Sequence, residues 1–98
     1  MSPNQKLTNT IKGRTIAQID TEDGAMTFRF NDGTTMRVKG SPQGSVAVPP
    51  SGQVTKAFEQ DERLALHFDN GTSVVLTLDN PGNAVSVRDG ENKVLYLG

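Results

Sequence analysis

Phe28-Arg29-Phe30-Asn31-Asp32-Gly33-Thr34-Thr35-Met36 decides the fold, because its pattern returns 38 positions later as Leu66-His67-Phe68-Asp69-Asn70-Gly71-Thr72-Ser73-Val74. In both stretches apolar and polar residues alternate one by one. That is the period of a strand with one buried face, since successive side chains point to opposite sides of a sheet. Each run then meets Asn-Asp-Gly or Asp-Asn-Gly, residues that tolerate the positive φ of a tight turn, before alternation resumes. Each stretch therefore reads as a β-hairpin.

The correspondence extends outward. Ile16 falls on Val54 and Met26 on Leu64; with one residue inserted, Pro42-Gln43-Gly44-Ser45-Val46-Ala47-Val48 falls on Pro81-Gly82-Asn83-Ala84-Val85-Ser86-Val87. Self-similarity at a fixed spacing is the mark of a repeated structural unit. Residues 13–48 form the first copy, 53–88 the second, and 93–97 a closing strand, all within a single domain. Pro49-Pro50-Ser51-Gly52 lies between the copies, where proline, lacking a donor N–H, suits a turn and not a strand interior. The expected fold is all-β: a small β-sandwich or β-barrel of about eight to nine short antiparallel strands, built from two tandem β-hairpin repeats with pseudo-twofold symmetry. The alternating residues Ile16, Met26, Phe28, Phe30, Met36 and Val38 of the first copy, Leu64, Leu66, Phe68, Val74, Leu76 and Leu78 of the second, and Val46 and Val85 are expected to form its core. The polar stretch Met1–Asn9 has neither the apolar run of a signal peptide nor that of a membrane anchor, and is expected to be a flexible tail.

Composition bounds the chemistry. The 98-residue chain is 34% hydrophobic and carries a net charge of −1, too little field to draw in nucleic acid or an anionic membrane. Cysteine is absent, which removes disulfides, thiolate metal sites and thiol nucleophiles. The single histidine, His67, has no second histidine to share a metal, and no Gly-x-Ser-x-Gly elbow offers a serine nucleophile. Acidic residues gather at Asp20, Glu22 and Asp23 and again at Glu59, Asp61 and Glu62, matching turns without the spacing of a calcium loop. Neither an enzyme nor a cofactor or metal is expected, and a cytoplasmic setting is the default.

The outward faces differ between the copies. Residues 1–50 hold six Lys/Arg against four Asp/Glu, whereas residues 51–98 hold four against seven. In the first copy Thr27, Arg29, Thr35, Arg37 and Lys39 face outward as a basic stripe, and Arg29, Arg37 and Lys39 are candidates for binding an anionic metabolite or nucleotide. In the second copy the matching positions are Ala65, His67, Ser73, Val75 and Thr77. The last strand, with Leu95 and Leu97, is apolar on both faces. Ala65, His67, Val75, Thr77, Leu95 and Leu97 are therefore candidates for a homodimer interface, since a two-sided apolar strand in a thin-cored domain needs cover. The leading expectation is a non-enzymatic, self-associating binding module. A small-anion binder and an accessory or inhibitory subunit of a larger protein are the alternatives.

Overall fold

The computed structural model describes residues 2–42 and 52–98. It is mostly antiparallel β with one short helix: β1 (Ser2–Pro3), α1 (Gln5–Ile11), β2 (Ile16–Glu22), β3 (Ala25–Phe30), β4 (Thr35–Pro42), β5 (Val54–Gln60), β6 (Arg63–Phe68), β7 (Ser73–Leu78), β8 (Val85–Arg88) and β9 (Val94–Leu97). Val46, expected in the core, and residues 49–51 of the expected turn at 49–52 lie outside the described residues. Strands join in the order β1-β5-β6-β7-β4-β3-β2, with β8 added to β4 and β9 to β8. The two ends of this path, β1 and β2, do not pair; the isolated bridge Thr15↔Gln53 ties the approach to β2 to the approach to β5.

The hairpins form where alternation and turn chemistry placed them. Gly33 and Gly71 take φ of 90° and 84°, the left-handed conformation that glycine adopts without steric cost. In each turn the glycine N–H donates to the carbonyl of the last strand residue, Phe30 or Phe68, at 3.2 Å. Registers agree at the same spacing as the sequence. The β2–β3 pairs Ile16↔Phe30, Ile19↔Phe28 and Glu22↔Ala25 have β5–β6 counterparts in Val54↔Phe68, Ala57↔Leu66 and Gln60↔Arg63, each 38 positions on. Both ladders are bulged at the matching place, between Ile16 and Gln18 and between Val54 and Lys56. Phe28↔Met36 likewise matches Leu66↔Val74.

Strand β4 changes partners along its length. Thr35–Val38 lie between β3 and β8, while Gly40–Pro42 pair with β7. The exchange requires glycine at position 40, where an added Cβ would overlap the carbonyl oxygen of Thr77. Inward residues of all the long strands meet in one core, and every expected core residue that is described is buried. Val54, Ala57 and Val87 join it, together with Leu7 and Ile11.

Those last two correct the expectation of a flexible tail. Residues 2–11 form β1 and α1, and Leu7 and Ile11 are 0% exposed. Asn4 caps the helix by accepting the Leu7 N–H on its side chain at 3.0 Å, and Gly13, with φ of 83°, turns the chain away at the other end. The segment also closes the outer edge of β5. Ala57 receives the Asn4 N–H on its carbonyl at 2.8 Å and donates its own N–H to Thr8 Oγ1 at 3.0 Å. A seven-residue helix is too short to stand alone in water, so burial of Leu7 and Ile11 and this edge contact hold it in place.

Candidate functional site

On the outer face of β3, β4 and β8 two cross-strand rows lie side by side. One is Arg29, Thr35, Arg88; the other is Thr27, Arg37, Ser86. Arg37 is thus flanked across the strands by Thr27 and Ser86, while Arg29 and Arg88 share Thr35 between them. Strands lie ~4.8 Å apart and alternate residues ~6.8 Å apart along a strand, which sets the Arg29 and Arg88 backbones about 10 Å apart and Arg37 about 8 Å from either. The arrangement follows from alternation: the inward neighbours Phe28, Met36, Val38, Val85 and Val87 are buried, so the residues between them face out.

These six side chains line an open depression of about 410 Å³, bounded at one end by the 89–92 turn. One oxygen of Asp89 is occupied there, accepting the N–H groups of Glu91 and Lys93 at 2.9 Å each. A smaller depression of about 240 Å³ adjoins it, sharing Arg37, Ser86 and Arg88 and adding Lys39. Neither is lined by an aromatic ring.

Carboxylates on β2 face the first two arginines. Asp20 Oδ2 accepts from Arg29 Nε at 2.9 Å, and Glu22 lies 3.6 Å from Arg37 Nη2. The hydrogen bonds from Arg29 and Gln18, in that order of weight, hold the Asp20 carboxyl below its ordinary range. Both ion pairs are solvent-exposed, a setting in which water and salt screen such pairs and they add little to stability. Arg88 Nη1 donates to the Asn92 carbonyl at 3.4 Å, and Lys39 has no ion-pair partner among the described residues.

The structure therefore brings Arg29, Arg37 and Lys39 onto one surface and adds Arg88 with Thr27, Thr35 and Ser86. Arg88 was missed although Val85-Ser86-Val87-Arg88 alternates plainly. Alternation gives a residue's face but not the neighbouring strand, and only the β4–β8 pairing puts Arg88 beside Thr35.

The six interface candidates are not brought together. Ala65, His67, Val75 and Thr77 lie on β6 and β7, whereas Leu95 and Leu97 lie on β9, which pairs with β8, and Leu97 is opposite Ser86 beside the smaller depression. Ala65, expected to face a partner, is 3% exposed. Its cross-strand neighbours Phe58 and Val75 flank it, and the Phe58 ring stands 4.8 Å from His67. Phe58 went unnoticed in the sequence because its counterpart 38 positions earlier is Asp20, which carries no apolar signal. Val94, Leu95 and Leu97 are exposed. No three His, Asp or Glu side chains gather as a metal site among the described residues, and no described helix is long and apolar enough to cross a membrane.

Comparison with protein-family models, with curated proteins and with solved structures yields no match. The functional reading therefore rests on the geometry of the chain itself.

Proposed function

We propose that this protein is a duplicated β domain that binds a multiply charged small anion on the outer sheet face of β3, β4 and β8. The duplication is supported by ladders and bulges that agree at a spacing of 38. Under that spacing Thr15↔Gln53 and Gly40↔Leu78 each pair a residue with its own counterpart, as residues beside a pseudo-twofold axis do. The observation that carries the binding reading is the checkered surface of Arg29, Arg37 and Arg88 with Thr27, Thr35 and Ser86 around one depression. Arginine forks match phosphate and carboxylate oxygens bidentately, and hydroxyls supply further donors. The Nε of Arg29 is taken by Asp20, which fixes the side chain while leaving its two Nη groups to a ligand.

Isothermal titration with inorganic phosphate and pyrophosphate, together with thermal shifts, tests this. A ligand at one hundred times its Kd stabilises the fold by about 2.7 kcal/mol. Arg37→Gln, at the centre of the arginines, should remove the binding while preserving the fold. Absence of any anion-dependent stabilisation would refute the reading.

A second reading, self-association, is favoured by a separate observation. Among the described strands β9 pairs only with β8, and it exposes Val94, Leu95 and Leu97, at 41%, 38% and 70%. An apolar edge strand invites pairing with another chain. A second copy joined at β9 would cover it, and sedimentation should then give a dimer that Leu97→Glu converts to monomer. A wild-type monomer at tens of micromolar would exclude it.

A further inference from the structure

We infer that the anion site takes a compact hydroxylated molecule with two phosphate groups, of the sugar bisphosphate class, in preference to a monophosphate or a nucleotide. This rests on the anion-binding reading above and adds the identity of the ligand class. Three features of the surface point there.

The first is division into two adjoining lobes. The larger, of about 410 Å³, holds Arg29 and Arg88; the smaller, of about 240 Å³, holds Lys39; Arg37, Ser86 and Arg88 border both. Along β4 the outward residues Thr35, Arg37 and Lys39 follow one another at ~6.8 Å intervals, so positive charge continues well past the reach of one phosphate. A second anionic group on the same molecule would meet Lys39 while the first sits between Arg29 and Arg88. Arg37 then lies between the two groups.

The second is charge. A phosphate monoester carries about −1.5 to −2 at neutral pH, so two of them match four cations, two for each. Asp20, Glu22 and Asp89 oppose part of this charge, but Asp20 holds only the Nε of Arg29, Glu22 lies beyond hydrogen-bond distance of Arg37, and one oxygen of Asp89 is satisfied by the Glu91 and Lys93 N–H groups. The Nη donors of both arginines stay open to a stronger acceptor.

The third is the lining between the charges. Thr27, Thr35, Ser86 and Asn92 offer hydroxyl and amide groups suited to a polyol, and no aromatic ring is present on which a nucleobase would stack. A joint volume within the usual range of ligand pockets leaves room for a short carbon skeleton between the phosphates.

The test is titration of the full chain, at fixed low ionic strength, with inorganic phosphate, fructose 6-phosphate, fructose 1,6-bisphosphate and ADP as probes, read by calorimetry and by amide chemical shifts. The bisphosphate should bind at least ~10-fold more tightly than the monophosphate, equivalent to about 1.4 kcal/mol, and more tightly than ADP. Lys39→Gln should abolish most of that preference while leaving monophosphate affinity within about twofold, as one cation of the second lobe is removed and the first lobe is untouched. Arg88→Gln, which borders both lobes, should weaken both ligands, and Arg63→Gln on β6 should change neither. Equal affinity for the two sugar phosphates, or tighter binding of ADP, would overturn the bisphosphate assignment and leave the anion site standing. If no probe shifts the amides of β3, β4 and β8, both fall together.

Discussion

Asp20 and Arg29 sit diagonally across the β2–β3 ladder, with the Asp20 carboxylate accepting from Arg29 Nε at 2.9 Å. The acid both steadies the guanidinium and opposes an incoming anion. Asp20→Asn keeps an acceptor oxygen in place and removes the charge, so it should tighten phosphate binding by about two- to fivefold, the scale of one exposed charge at close range. Weaker binding by this variant would mean that the ionised form is needed to orient Arg29. Calorimetry decides between them.

The same contact sets an acid limit. Because the folded carboxyl of Asp20 lies below the ordinary aspartate value of 3.8, its interaction with Arg29 is fully present above that value and is lost as pH falls through the lower folded one. Between pH 5 and 8 the pair should not titrate. A carboxyl-detected NMR titration should place the Asp20 midpoint under 3.8, and Arg29→Gln should move it up. A midpoint at or above the ordinary value would remove the Arg29 contact from solution.

Gly40 should be intolerant of any side chain. An added Cβ meets the backbone of Thr77, which cannot swing aside as a flexible side chain would. Gly40→Ala should cost about 1–3 kcal/mol, the range for overpacking, and fall toward its upper end. Gly82→Ala is the useful contrast. Unlike Gly40 it has positive φ, and nothing lies within 4 Å of the added Cβ, so its cost comes from backbone conformation alone, about 1 kcal/mol. Urea denaturation of both variants measures the difference.

Leu7→Ala should destabilise the domain by about 2–5 kcal/mol, the usual cost of emptying a buried leucine site. A loose tail would show no change. Hydrogen exchange at Ala57 adds a local readout, because its N–H is held by Thr8. That amide should exchange faster in the variant than its counterparts in the middle of β6.

How much of this was legible in the sequence depended on periodicity and on what periodicity leaves out. Phe28, Phe30, Leu66 and Phe68 alternate with polar residues and end at glycine turns, so the hairpins and most of the core could be read directly. The helix could not. Leu7 and Ile11 supply one apolar pair at helical spacing in an otherwise polar stretch, and the stabilising partner, the edge of β5, is about 50 residues away, beyond any local signal. Arg29, Arg37 and Lys39 were legible as a stripe for the same reason as the core. Arg88 was not, because strand neighbours are set by tertiary pairing. The burial of Ala65 likewise depends on Phe58 and Val75 across the strands, a property no single strand records.

Strand β4 has one further consequence. Its first residues are hydrogen-bonded between β3 and β8, and its last residues to β7. The backbone that frames the arginine-bearing face is thus continuous with the backbone that anchors the opposite half, and neither half can come loose while the other keeps its grip. Unfolding should accordingly be all-or-none, with the amides at the middle of β4 among the last to trade protons with water.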